Sequence, residues 1–136
     1  IVMGGIVAYR LAAFSNLNIT KLITIGAPWH NIYMEAMFPG IEATTVQMWK
    51  EASPQGYQDY HRLNPEPDIE SAITQAKRLG CDTSSQSRPN EAVKNIRSEV
   101  LVIKGEQDPF VPEESVEAFC ELVPQAKVVV VPKAGH

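Results

Sequence analysis

The chain has 136 residues, of which 44% are hydrophobic and 21% charged, with a formal net charge of −4. That length suits one domain with a real core. The acidic balance offers no basic face to a nucleic acid. No apolar run approaches a membrane span, and no signal-peptide pattern opens the sequence. Cys81 and Cys120 read as free thiols of a reducing compartment, so the cytoplasm is the expected location.

Taken in order, Ile1-Val2-Met3-Gly4-Gly5 leads directly into an apolar run that ends at Phe14. Met3, Ile6, Val7, Leu11 and Phe14 fall on one helical face, which predicts an amphipathic helix packed through that face. Lys21 to Ile25 reads as a strand closed by Gly26-Ala27-Pro28. From Trp29 to Ile96 the character changes to short helical pieces broken by Pro and Gly. In the clearest piece Asp68 is the expected N-cap, Ile69, Ala72, Ile73 and Ala76 share a face, and Gly80 is the expected C-cap. Asn90 is expected to cap a short helix over Glu91 to Ile96. Trp29 and His30 directly follow a strand's carboxyl end, where open α/β sheets hold ligands, and are candidates for substrate contact. Most other aromatics of the segment are expected to be packing material.

Val100 to Ile103 is an apolar, β-branched run ending at Gly105, the pattern of a strand buried on both faces. An acidic turn with Asp108 before Pro109 follows. Pro112, Glu113 and Glu114 then mark a helix start, and Val116, Phe119, Cys120 and Val123 give it one apolar face. Val128 to Val131 is a third strand, with His136 just past its end. Strand, helix and strand make a βαβ unit, so the two strands are expected parallel and adjacent. Asp108 and His136 would then meet at one rim. There a carboxylate that accepts the imidazole Nδ1–H fixes its tautomer and stabilises the imidazolium. His30, His61 and His136 lack zinc-like spacings, and no phosphate-binding glycine loop occurs, so no metal and no cofactor is expected.

The phrases GEQDPFVP and VVVVPKAGH, in the order acid then histidine, resemble the last two triad turns of the α/β-hydrolase family, and Met3-Gly4-Gly5 with its helix resembles that family's nucleophile elbow. The resemblance implies an α/β fold: a partial doubly wound, mostly parallel sheet with residues 29–96 as a helical cap or lid insertion. Residues 1–136 would be the C-terminal part of one such domain, since the sequence opens in mid-motif. It also implies a general base and acid at His136, an orienting carboxylate at Asp108 and an oxyanion donor in the Met3 backbone N–H. The position that should carry the nucleophilic serine holds Val2.

Two functions follow. One is hydrolysis of an ester, lactone or amide of a hydrophobic small molecule by a Ser-His-Asp mechanism. The alternative is a non-catalytic relative that binds a small molecule or a partner.

Overall fold

The computed structural model describes residues 2–84 and 87–136, with Val2 described by its backbone only. Three strands, β1 (Lys21–Ile25), β2 (Glu99–Gly105) and β3 (Ala126–Val131), form a parallel sheet in the order β1-β2-β3. Leu22 pairs with Val100 and Val100 with Ala126, so the carboxyl ends of all three strands lie on the same side. Parallel strands need crossovers. Helix α6 (Glu113–Leu122) provides the second, and the long segment after β1 provides the first.

The sheet is covered on one face. Leu22, Thr24, Val100 and Val102 are buried, together with Tyr9 and Ala13 of helix α1 (Val2–Phe14), Val93 of the 3-10 segment before β2 and its cap Ile96, and Phe119 of α6 with its cap Val123. The alternate residues Ile23 and Ile25 are 62% and 50% exposed, and Val129 and Val131 are also exposed. Leu101 and Ile103 are half-buried, so β2 is not the doubly buried strand that its unbroken apolar run predicts. The reason is that α1, α6 and the 3-10 segment join one cluster on a single face.

Helix α1 corrects a second expectation. Met3, Val7, Leu11 and Phe14 are exposed, and the packed residues are Ile6, Tyr9 and Ala13. Only Arg10 is charged in this helix, so its apolar residues run all round and periodicity does not select a face. Small side chains do select it. A Cβ on Gly5 would collide with the Ala27 Cβ, so α1 approaches the end of β1 at glycine distance.

Ala36–Asp82 forms a separate compact unit of four helices: α2 (Phe38–Ala43), α3 (Val46–Ala52), α4 (Pro54–Leu63) and α5 (Ile69–Gly80). It is narrower than 29–96, because residues 29–35 and 83–96 belong to the sheet unit. Asp68 caps α5 by accepting from the Ser71 N–H at 2.9 Å, and the helix runs one residue further than expected, through Gly80 to a cap at Cys81. Thr45 caps α3 through the Met48 N–H. Asn90 is not a cap. It lies inside the 3-10 segment Asn90–Asn95, and its side chain accepts from the Asn31 N–H. No helix is long and apolar enough to cross a membrane among the described residues.

Across the covered face, the Tyr9 hydroxyl hydrogen-bonds Thr24 Oγ1 at 2.7 Å. Burial pushes the Tyr9 phenol up to about 12. The folded protein therefore keeps this proton to higher pH than the unfolded chain does. The associated stability is complete below about pH 10 and falls by up to about 3 kcal/mol as pH rises toward 12. Tyr9→Phe is expected to cost about 1 kcal/mol at neutral pH, where it strands the buried Thr24 hydroxyl. It should also make the alkaline loss shallower. Urea melts at pH 7 and across pH 10–12 check both effects, and an unchanged alkaline slope would contradict the assignment.

Candidate active site

The carboxyl ends of β2 and β3 carry two turns that interlock. The Glu106 N–H donates to the Val131 carbonyl at 3.0 Å and the Gln107 N–H to the Ala134 carbonyl at 2.8 Å. In return the Lys133 N–H donates to Glu106 Oε2 at 2.8 Å, with Lys133 itself in the left-handed region at φ 57°. Gly105 makes the crossing possible. A Cβ there would overlap the carbonyl oxygens of Ala134 and Gly135.

The interlock delivers His136 to Asp108. His136 Nδ1 lies 2.9 Å from Asp108 Oδ2 and 3.0 Å from Oδ1. The Asp108 side chain is 1% exposed and that of His136 is 29% exposed. Asp108 Oδ1 also accepts the Phe110 N–H at 2.9 Å, which holds the carboxylate against its own turn. An aspartate so placed wants the Nδ1–H tautomer, leaving Nε2 with the lone pair. The Phe110 ring packs on the imidazole at 4.5 Å between centroids.

β1 closes the other side of the pair. Gly26 has φ +57°, and a Cβ at this position would stand 3.2 Å from Asp108 Oδ2 and 3.3 Å from His136 Cε1. Its two requirements, a left-handed backbone and no side chain against the pair, both select glycine. Beneath the rim, Lys104 is buried and its Nζ donates to Glu113 Oε2 at 3.1 Å. This contact ties the end of β2 to the start of α6, bracketing the loop that holds Asp108.

The other sequence candidates are placed differently. Met3 stands in the first turn of α1, where a backbone N–H has no intrahelical acceptor. The side chain of Val2 lies outside the described residues. Trp29 is 4% exposed; its indole N–H donates to the Ser115 carbonyl at 2.9 Å, and its ring packs on Phe119. It joins the end of β1 to α6. His30 Nδ1 accepts the Ile32 N–H at 3.1 Å, so its proton sits on Nε2 and is donated to Glu91 at 2.9 Å. The hydrogen bond from His30 holds the Glu91 carboxyl below its usual range. Among the described residues, no group of three or more His, Cys, Asp or Glu could hold a metal ion.

Sequence reasoning reads Gly26 and Gly105 only as strand ends and gives Phe110 and Lys104 no role. A signal existed for Lys104, which alternates with the buried Val100 and Val102 and so falls on the covered face.

The parallel sheet agrees with comparison to known proteins. The profile of the alpha/beta hydrolase fold family matches residues 32–136, and the chain belongs to that family. Comparison with curated protein sequences gives no match. Among solved structures, the chain is similar to the enol-lactonase from Burkholderia xenovorans LB400, with 16% identity, TM-score 0.56, and 96% of this chain and 55% of that one covered. It is similar to E-2-(acetamidomethylene)succinate hydrolase, with 18% identity, TM-score 0.64, and 98% and 57% covered. A thioesterase domain from the curacin biosynthetic pathway gives 16% identity, TM-score 0.63, and 99% and 58% covered. The chain thus spans just over half the length of these structures.

Gly105→Ala is expected to drive the 132–136 turn away from β2 and separate His136 from Asp108. The overlap should destabilise the fold by about 1–3 kcal/mol. A denaturant melt measures the loss. The His136 ring resonances should move to those of a solvated histidine, and unchanged resonances would contradict the steric argument.

Proposed function

We propose that this chain carries the acid–base half of a serine hydrolase acting on an ester, lactone, amide or thioester bond of a hydrophobic small molecule. The observation that carries the reading is the hydrogen bond between the buried Asp108 carboxylate and His136 Nδ1. In this reading Asp108 orients the ring and stabilises its protonated form. His136 Nε2 takes the proton of a nucleophilic hydroxyl as the oxygen attacks the substrate carbonyl. It returns that proton to the leaving group as the scissile bond breaks, and then repeats both transfers with water. The Met3 N–H donates to the oxyanion. His30 is proposed on the substrate-facing wall after β1 by its half-buried ring, while Trp29, packed in the core, only fixes the backbone that carries it.

The helical unit Ala36–Asp82 is proposed as a cap, which its insertion between β1 and β2 in the chain supports. A cytoplasmic setting is proposed from the chain's sparse cysteine usage. The names of the similar structures bring lactone and thioester chemistry into range without selecting between them.

Val2 at the nucleophile position favours a second reading, a non-catalytic relative that binds a small molecule or a partner. Loss of the nucleophile of a serine triad costs on the order of 10⁶ in turnover. The chain with Val2 is therefore expected to show no burst with aryl acetates.

A fluorophosphonate ester read by intact mass tests the reading. Val2→Ser should gain one covalent adduct that the parent lacks. Adding His136→Ala should slow that labelling by at least about 10². Labelling of Val2→Ser that ignores His136, or parent turnover of an aryl acetate that is lost in His136→Ala, would contradict it.

A further inference from the structure

From the helical unit's own construction, we infer that Ala36–Asp82 contains a binding site for a monocarboxylic acid with a medium-length apolar tail, the tail lying among its helices and the carboxylate on Lys77.

Helices normally bury their apolar stripes against one another. Here they do not close. Not one described residue from Ala36 to Asp82 is buried, although α5 presents Ile69, Ala72, Ile73 and Ala76 on one face. That face borders a cavity of about 320 Å³, whose other walls include Ile41, Trp49 and Tyr60. The volume falls in the roughly 300–1,000 Å³ range of small-molecule sites.

The walls are held in place. Trp49 stacks edge-on with Tyr57 and Tyr60 at 5.9 and 6.2 Å. The Tyr60 hydroxyl donates to the Asp68 carbonyl at 3.0 Å and accepts the Asp68 N–H at 3.3 Å, which fixes α4 to the start of α5. The hydroxyl's proton is already committed, so Tyr60 offers the ligand its ring face.

One charge borders this apolar space. Lys77 lines the cavity and also lines a second, polar cleft of about 440 Å³ that shares Thr44 and Ile73 with it. Among the described residues, the Lys77 ammonium has neither an ion pair nor a hydrogen bond, and its side chain is half-buried. Glu70 also lines the polar cleft, two helical turns before Lys77. An amphiphile placed with its tail in the cavity puts its head group at this seam. A single carboxylate there meets an unpaired cation, whereas an ammonium head would meet that same cation and be repelled. The site asks nothing of Asp108 or His136, so it does not rest on the hydrolase reading.

The test titrates the whole chain with octanoate, decanoate and decanol below their micelle concentrations, following tryptophan emission and calorimetric heat. Decanoate should bind saturably and shift an emission component that Trp49→Phe removes. Each added methylene should tighten binding by about fourfold. Decanoate should be preferred over decanol by about fivefold, and Lys77→Met should abolish that preference while leaving decanol binding unchanged. Ile73→Trp and, independently, Ala76→Leu should fill the cavity and weaken both ligands by about tenfold or more, with circular dichroism showing retained helix. His136→Ala should leave decanoate binding unchanged. Unsaturable binding, equal affinity for decanoate and decanol in the parent, indifference to both filling variants, or loss in His136→Ala would each overturn the inference.

Discussion

Parallel pairing of β1, β2 and β3 is the constraint from which the rest of the sheet unit follows. Because the strands run the same way in consecutive order, Gly26, Asp108 and His136, each just beyond a different strand, are forced onto one rim. Nothing local could bring residues 28 positions apart into contact so economically. The βαβ connection through α6 supplies the distance along the chain, and the register supplies the direction. What remains is clearance, and the two glycines provide it. Gly105 lets the last turn cross the end of β2, and Gly26 leaves the space beside the carboxylate.

A buried carboxylate has to recover the hydrogen bonds it loses with water. Asp108 does so with two different partners, the Phe110 N–H of its own turn and the imidazole of His136. The first makes the carboxylate rigid, and the second gives that rigidity a chemical use, because a fixed acceptor sets which ring nitrogen carries the proton. His136 in turn is braced by the Phe110 ring. The open sheet face is the energetic counterpart of this well-fixed rim. Ile23, Ile25, Val129 and Val131 lie on it, and among the described residues β1 and β3 are the edge strands. Such a surface is prone to association with other strands.

The parts of this arrangement that are legible in the sequence are those written in periodicity and order. β-branched runs ending in glycine or proline define the strands, and a helix between two of them dictates parallel pairing. That Asp108 and His136 share a rim follows from those two facts alone. The packed face of α1 is not legible, because its apolar residues surround the helix and the deciding feature is the small size of residues such as Gly5 and Ala13. The direction of Trp29 is equally hidden. A tryptophan after a strand end can face a crevice or the core, and here an indole donor finds Ser115 in the core. The helical unit is bounded at Ala36 and Asp82 rather than at residues 29 and 96, since Trp29, Val93 and Ile96 contribute to the sheet's cluster. Glycine clearance depends on segments distant in sequence, so no local pattern announces it.

The protonation state of the His136 ring tests the central claim most directly, and long-range ¹H–¹⁵N NMR of the neutral imidazole reads it. If Asp108 fixes the ring as described, the parent chain shows the Nδ1–H tautomer. Asp108→Asn, whose amide can donate to Nδ1, should shift the population to the Nε2–H tautomer with the fold intact. An Nε2–H tautomer in the parent, or a tautomer balance indifferent to Asp108→Asn, would contradict the account.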